Sequence, residues 1–254
     1  MSKILVNIHG AGKQMSNFYV ESLEALGKIM GSQPECLPCW YADLCNVGSP
    51  VYGLDDPSLP PDALEFRQAL RHEIRERRKA IESQMQSAAD VEFGTLETMT
   101  IIADLVADVT GYLFNGELES KIRQRLRDVL AQAAQRAGET VLVSHSLGTV
   151  VAFDVLREEA QHYRVAEFIT MGSPLLKLVR LGRRAPDTGK INRQTVRRWR
   201  NLYDTTDPVA DAIGPAMPTT RIEDIYIQVA DAPVPSHDYW RNADVLTLIA
   251  ETLQ

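Results

Sequence analysis

A serine lies between a β-branched run and an apolar helical segment. Residues 140–144 (TVLVS) are predicted as a buried strand and residues 147–160 as a helix. The residues at their junction read Ser-His-Ser-Leu-Gly, so Ser144 and Gly148 place small residues on either side of Ser146. A sharp strand-to-helix turn needs small flanking residues, because it crowds them while it exposes the central hydroxyl. The pattern, one residue away from the usual G-x-S-x-G, predicts Ser146 as a nucleophile.

A serine hydroxyl needs a neighbouring base to take its proton. In strand–turn–helix hydrolases the chain order is serine, acid, histidine. Of the five histidines, His9 and His145 belong to glycine-turn motifs, His72 lies in a charged helix and His162 follows the helix after the serine. His237 alone lies late in the chain, between the last predicted strand and the last predicted helix. It is therefore the predicted base.

Three aspartates follow the predicted strand at residues 196–203, namely Asp204, Asp207 and Asp211. Asp207 is favoured over Asp204 because it lies a few residues beyond the strand and precedes a proline that fixes a turn. Its role would be to hold the histidine tautomer and to stabilise the imidazolium.

An acyl-transfer site also needs hydrogen-bond donors for the developing oxyanion. The N–H of Leu147, at the start of a helix, is one predicted donor. The other is predicted in the glycine-rich turn after the first strand, from Ala11 or Gly12. Gly10, Gly12 and His145 are the remaining predicted binding residues. Each feature also has a structural reading: Ser146 as a helix N-cap, the glycine turn as a phosphate cradle, and His237 as a loop histidine.

Four motifs can be compared with known families, namely His9-Gly10-Ala11-Gly12, Ser144-His145-Ser146-Leu147-Gly148, Met171-Gly172-Ser173-Pro174-Leu175 and Asp207-Pro208-Val209. Together they resemble the motifs of α/β-hydrolase lipases and esterases, and most closely those of the branch near class 3 lipases and GPI-inositol-deacylase-like serine esterases. The resemblance covers residues 1–45 and 139–254. It implies a parallel sheet, an acyl-enzyme, no metal or organic cofactor, and catalytic roles for Ser146, Asp207, His237 and the backbone of Leu147 and Ala11.

Strands and helices alternate at both ends of the chain. Predicted strands lie at residues 3–8, 36–41, 140–144, 167–171, 196–203 and 222–229, and predicted helices at 16–30, 62–89, 96–114, 118–136, 147–160 and 242–253. Interleaved strands and helices indicate an α/β fold with a mostly parallel central sheet covered by helices. We expect one domain, residues 1–254, of the α/β-hydrolase type.

Residues 60–115 contain predicted helices and no predicted strand. Inserted helices in such enzymes usually form a lid over the site, so this segment is the candidate lid. Its apolar stripe would suit an acyl chain, although a stripe at helical spacing more often belongs to the core. The stripe consists of Ile101, Ile102, Leu105, Val106, Val109 and Leu113.

Composition narrows the classes of partner. The 254 residues are 44% hydrophobic and 24% charged, as in ordinary globular proteins, and the net charge of −7 argues against nucleic acid. No apolar run approaches the roughly 20 residues that cross a bilayer, so no transmembrane segment is expected. The first strand reaches a glycine turn too early for a signal peptide, which predicts a cytoplasmic protein.

Two further features allow more than one interpretation. Cys36 and Cys39 form a C-x-x-C pattern with a conceivable redox or metal role, but the pattern lacks a second ligand pair, which favours a structural role. Nine cationic residues between Lys177 and Arg200 face one acidic residue, Asp187. They form either a solvated surface loop or a contact for an anionic head group or lipid surface, where each cation adds about 1 kcal/mol.

The first functional hypothesis is hydrolysis of a carboxylic ester, with a small-molecule or a lipid ester as substrate. A second is a catalytically silent α/β-hydrolase scaffold that binds a ligand or a protein partner. A third is acyl transfer to an alcohol or thiol instead of water, which the same residues would serve.

Overall fold

The computed structural model describes residues 3–12, 14–45, 59–86, 95–136, 138–217, 221–230 and 235–254. Its strands are β1 (Lys3–Ile8), β2 (Cys36–Cys39), β3 (Glu139–His145), β4 (Val165–Met171), β5 (Val196–Tyr203) and β6 (Ile222–Tyr226). They form one sheet in the order β2-β1-β3-β4-β5-β6, and every neighbouring pair is parallel. The predicted α/β fold with a parallel central sheet is confirmed.

Helices cover both faces of the sheet. They are α1 (Val20–Met30), α2 (Ala42–Cys45), α3 (Pro61–Gln86), α4 (Thr95–Phe114), α5 (Gly116–Arg136), α6 (Leu147–Glu159), α7 (Leu175–Arg180) and α8 (Ala243–Leu253). Residues of α1 and α8 form one buried cluster with Leu5, Val141 and Val143. Residues of α3 to α7 form the larger cluster on the opposite face. Strand residues alternate between the two clusters, as the pleat of a strand requires.

The chain winds outward from β1 in both directions, because β2 lies on one side of β1 and β3 on the other. In open parallel sheets such a reversal leaves a crevice at the carboxyl ends of the two diverging strands. The loop at residues 9–12 follows β1 and the turn at Ser146 follows β3. Both predicted halves of the site therefore lie at this crevice.

Several predicted bounds differ from the structure: α1 begins at residue 20 and not 16, and β4 begins at 165 and not 167. Helix α3 is described to Gln86, and residues 87–89 of its predicted range lie outside the described residues. Predicted strand 36–41 ends at Cys39, since the N–H of Tyr41 donates to His9 Nε2. Predicted strand 222–229 ends at Tyr226, and the N–H of Val229 donates to the carboxylate of Asp204. Two short helices were not predicted: α2, which has four residues, and α7, whose six residues lie in the basic segment that the sequence analysis describes as a connection.

The middle helices contribute to the main core. Phe66 and Leu70 of α3 and Val106 and Val109 of α4 are at most 2% exposed and belong to the larger cluster. The rest of the predicted apolar stripe is buried or packs against this cluster, apart from Ile101, whose side chain lies outside the described residues. The lid function of residues 60–115 stays a prediction. Among the helices of the described residues, none is long and apolar enough to cross a membrane.

The cysteines of the C-x-x-C pattern lie on opposite faces of β2. Cys36 packs against the cluster of α1 and α8, whereas Cys39 belongs to the larger cluster. Burial raises the pKa of each thiol to about 12, so neither is a ready nucleophile or metal ligand near neutral pH. The arrangement favours the structural interpretation.

Candidate active site

Ser146 has an unusual backbone conformation, with φ 50° and ψ −124°. Among the described residues it is the one non-glycine with positive φ, a strained conformation that tends to occur at functional sites. Its N–H donates to the carbonyl of Met171 (2.9 Å), and its own carbonyl accepts from the N–H and hydroxyl of Thr149. Neighbouring backbone thus holds the strand-to-helix turn that the sequence pattern predicted.

Two glycines let the loop after β1 approach this turn. A Cβ on Gly10 would lie 2.7 Å from Ser146 Cβ, and a Cβ on Gly148 would collide with the carbonyl oxygen of His9. Both positions therefore need glycine. Ser144 is fully buried and its hydroxyl donates to Ile169 O (3.0 Å), so the departure from the usual glycine is accommodated.

Asp207 is fully buried and its carboxylate has three donors. His237 Nδ1–H donates to Oδ2 (2.7 Å), Tyr239 O–H donates to Oδ2 (3.1 Å), and the N–H of Val209 donates to Oδ1 (2.8 Å). A carboxylate that accepts from Nδ1 fixes the tautomer with Nε2 free to take a proton.

The other two aspartates have different partners. The Asp204 carboxylate accepts from the N–H of Val229 (2.6 Å) and from the N–H and hydroxyl of Thr206 (2.8 and 2.7 Å). Asp211 pairs with the ammonium of Lys177, which is 2% exposed. Within the described part of the chain, Asp207 is the aspartate of the three that contacts His237.

His237 and Ser146 are brought to the same place through residues 171 and 172. The His237 ring packs on Gly172, where a Cβ would lie 2.9 Å from Cε1, and the preceding residue accepts the Ser146 N–H. Within the described residues no hydrogen bond joins Ser146 Oγ to His237. Catalytic hydrogen bonds are often long without substrate and tighten in the complex. Ser146 is 2% exposed, so access to it is narrow.

Two further histidines border the site and are held neutral. His145 Nε2–H donates to the carbonyl of His237 (2.9 Å), and burial together with the His237 charge keeps the pKa of His145 well below its usual value. His9 Nε2 accepts from the N–H of Tyr41 (2.9 Å), so Nδ1 carries the proton and donates to Gly10 O (2.6 Å). Burial lowers the pKa of His9 to about 4. A binding role for His145 and Gly10 stays a prediction.

The structure separates the two predicted donors on the loop after β1. The N–H of Gly12 donates to Asp108 Oδ2 of α4 (2.6 Å), so it is already engaged. Among the described residues, no acceptor is found for the N–H of Ala11 or for the N–H of Leu147. Leu147 is the first residue of α6, where a backbone N–H has no partner within the helix. The geometry thus leaves Ala11 as the available donor from this loop.

Sequence reasoning missed Tyr41, Asp108 and Tyr239. Tyr41 stacks on His9 with ring centroids 4.0 Å apart, and its hydroxyl donates to the carbonyls of His9 and Gly10 (3.0 and 3.1 Å). Asp108 lies 96 residues from its partner Gly12. No spacing rule connects such residues, so the sequence holds no local signal for them.

Most of the basic segment is neutralised. Seven of its nine cations have a carboxylate within 4.0 Å, namely Lys177, Arg180, Arg183, Arg184, Arg197, Arg198 and Arg200. Arg184 forms a bidentate ion pair with Asp154, in which Nε donates to Oδ1 (2.8 Å) and Nη2 donates to Oδ2 (2.5 Å). The charge argument for a lipid contact is therefore weaker than the sequence suggested, and that contact stays an untested prediction.

No protein-family model matches the chain, and no curated protein matches its sequence. One solved structure found by comparison is the RedJ thioesterase from the prodiginine biosynthetic pathway in Streptomyces coelicolor. The alignment covers 99% of this chain and 84% of the thioesterase, with 14% sequence identity and a TM-score of 0.40. Similarity at this level carries no argument, so the functional proposal depends on the geometry of the site.

Proposed function

We propose that the protein is a serine hydrolase that cleaves a carboxylic ester through an acyl-enzyme. Ser146 is the nucleophile, His237 the general base and Asp207 the acid of the triad. The backbone N–H groups of Ala11 and Leu147 bind the oxyanion.

One observation carries the proposal: the strained Ser146 turn lies at the crevice between β1 and β3, beside a histidine bonded to a buried carboxylate. The φ of 50° at Ser146 and the 2.7 Å bond from His237 to Asp207 belong to elements far apart in the chain. A helix N-cap or a loop histidine would need neither feature. Their meeting at one sheet edge supports a catalytic role.

The reaction follows from these positions. As Ser146 Oγ attacks the ester carbonyl carbon, His237 Nε2 takes the hydroxyl proton and Asp207 stabilises the imidazolium. The oxyanion of the tetrahedral intermediate accepts from the two backbone N–H groups. His237 then returns the proton to the leaving alcohol as the ester bond breaks. A water molecule, deprotonated by His237, then attacks the acyl carbon, and His237 returns the proton to Ser146 Oγ as the acyl–oxygen bond breaks and the carboxylic acid leaves.

The resemblance to class 3 lipases and GPI-inositol-deacylase-like esterases favours a lipid ester among the possible substrates. Val106 and Val109 of α4 are fully buried in the core. An acyl chain would therefore reach them only if α3 and α4 moved away, as a lid does. A protein whose lid stays closed would instead prefer short acyl groups.

A fluorophosphonate probe and a panel of p-nitrophenyl esters, from acetyl to dodecanoyl, test the proposal. We expect hydrolysis and covalent labelling of Ser146, and loss of both in Ser146→Ala. Ser144→Gly, which restores the commoner turn pattern two residues away, is the matched control and should keep both. A label on another residue, or a folded protein that neither reacts nor hydrolyses, would contradict the proposal and favour a silent scaffold. Faster turnover with an added alcohol or thiol would indicate acyl transfer.

A further inference from the structure

Tyr239 lies two residues after His237, in a single 3-10 turn, and is fully buried. Its hydroxyl oxygen bonds to two aspartates at once. The N–H of Asp204 donates to it (2.8 Å), and Asp207 Oδ2 lies 3.1 Å away. None of the steps of the proposed reaction uses Tyr239, so these two hydrogen bonds need another explanation.

The direction of these bonds is fixed by the partners. A backbone N–H can only donate, so the Tyr239 oxygen accepts from Asp204. The hydroxyl hydrogen is then left for Asp207, whose carboxylate only accepts. Burial, with the charge of Asp207 beside it, holds the pKa of Tyr239 well above its usual value, so the phenol stays protonated and remains a donor.

Tyr239 and His237 donate to the same carboxylate oxygen, Asp207 Oδ2 (3.1 and 2.7 Å). The second oxygen, Oδ1, accepts from the N–H of Val209. Because a hydrogen bond to the charged form stabilises that form, a donor on Oδ2 makes the carboxylate a weaker attractor for the imidazolium. It also restrains the rotation of the carboxylate.

The tyrosine is itself anchored. Asp204, which donates to the Tyr239 oxygen, has its carboxylate tied to Val229 and Thr206. The centroid of the Tyr239 ring lies 5.9 Å from the ring centroid of His145 and 6.2 Å from that of His237. The titratable groups facing His237 from packed elements thus include Asp207, His145 and Tyr239.

We infer that Tyr239 is a positioning residue for the proposed triad: through its bond to Asp207 Oδ2 it orients the acid and sets how strongly Asp207 holds a protonated His237. The inference rests on the proposed function. It assigns Asp204 a supporting role as the anchor of Tyr239.

Tyr239→Phe tests this inference, since it removes the hydroxyl and keeps the ring. Without that donor Asp207 attracts the imidazolium more strongly, so the acidic limb of the kcat/KM profile should move to higher pH by roughly half a unit to one unit. The looser carboxylate should also lower kcat by about three- to tenfold.

Tyr112→Phe is the matched control. Tyr112 is another buried tyrosine whose hydroxyl donates to a carboxylate, Asp154 Oδ2 (2.8 Å), in the core between α4 and α6. It should lose stability without any shift of the pH profile. An acidic limb that stays in place in a folded Tyr239→Phe protein would overturn the inference and leave Tyr239 a merely structural residue.

Replacement of Tyr239 by 3-fluorotyrosine decides the question even if the phenylalanine variant does not fold. The more acidic phenol is a stronger donor, so the acidic limb should move to lower pH, and no movement would overturn the inference. Probe labelling of Ser146 in the unmodified protein separates the two failures. If Ser146 is not labelled, the proposed function fails, whereas labelling without any profile shift rejects the role of Tyr239 alone.

Discussion

The N–H of Gly12 donates to the carboxylate of Asp108 at 2.6 Å, which ties the loop after β1 to the middle of α4. This contact joins the loop of the proposed oxyanion donor to the segment expected to form a lid. A carboxylate in this position is only partly hydrated, and its charge is a cost to the fold. The consequence can be measured as a pH-dependent stability.

Asp108→Asn should stabilise the protein above about pH 6. Burial raises the pKa of Asp108 from 3.8 to about 6, so the folded state holds the proton more tightly than the unfolded state. The contribution of Asp108 to stability is therefore greatest below about pH 4 and falls as the pH rises to about 6. Asparagine cannot ionise, and its amide oxygen still accepts from Gly12. The expected gain is about 1–3 kcal/mol at roughly pH 8 and much less at roughly pH 4.

Urea unfolding at the two pH values measures this difference. Glu251→Gln, which removes an exposed carboxylate of α8, is the control and should change little at either pH. A loss of stability in Asp108→Asn at the higher pH would show that the charged form is needed for the bond to Gly12.

His237→Ala should lower kcat by about 10⁴-fold or more, comparable to removal of the serine, because triad members act as a unit. Asp207→Asn should lower kcat by the same factor or a smaller one, because it leaves the imidazole of His237 in the wrong tautomer. Steady-state kinetics on a short p-nitrophenyl ester checks both.

Asp204→Asn, unlike Asp207→Asn, should affect stability more than catalysis. Its carboxylate bonds to Val229 and Thr206, so its loss should reduce the free energy of unfolding more than kcat. If Asp204→Asn were catalytically crippled and Asp207→Asn were mild, the choice of acid would be wrong.

Gly148→Ala should damage both folding and activity. Its new Cβ would collide with the His9 carbonyl and push the loop after β1 away from Ser146. The expected cost is about 1–3 kcal/mol for overpacking, with loss of probe labelling. Gly116→Ala is the control, because a Cβ there meets no atom within 4 Å and alanine gains up to about 1 kcal/mol through the unfolded state. Equal thermal midpoints for the two variants would refute this account.

Arg184→Glu should destabilise the fold by about 3–5 kcal/mol, since it leaves the buried Asp154 without its cation. Lys190→Glu changes an exposed residue of the same segment and should leave the thermal midpoint nearly unchanged.

Charge reversal that tests a lipid contact should therefore be made at the exposed residues Lys190 and Arg193. Sedimentation of the protein with anionic and with neutral vesicles is the measurement. Equal sedimentation on both would return the segment to the solvated-loop interpretation.

The sequence by itself determined the local features of the fold. A β-branched run predicted β1, the strand predicted at residues 196–203 coincides with β5, and small residues around Ser146 predicted the sharp turn. These features could be predicted because they depend on side-chain period and on local backbone sterics. Chain order also selected His237, and a proline favoured Asp207.

The tertiary structure decided which groups share a partner. The sequence left Ala11 and Gly12 open as donors, and only the position of α4 shows that Gly12 already bonds to Asp108. It likewise presented nine cations as a surface of positive charge, whereas folding pairs seven of them with distant carboxylates. The bond from Tyr239 to Asp207 is of the same kind. Such contacts follow from the packing of elements remote in sequence, and hydrogen bonds at about 3 Å depend on distances that no residue spacing encodes.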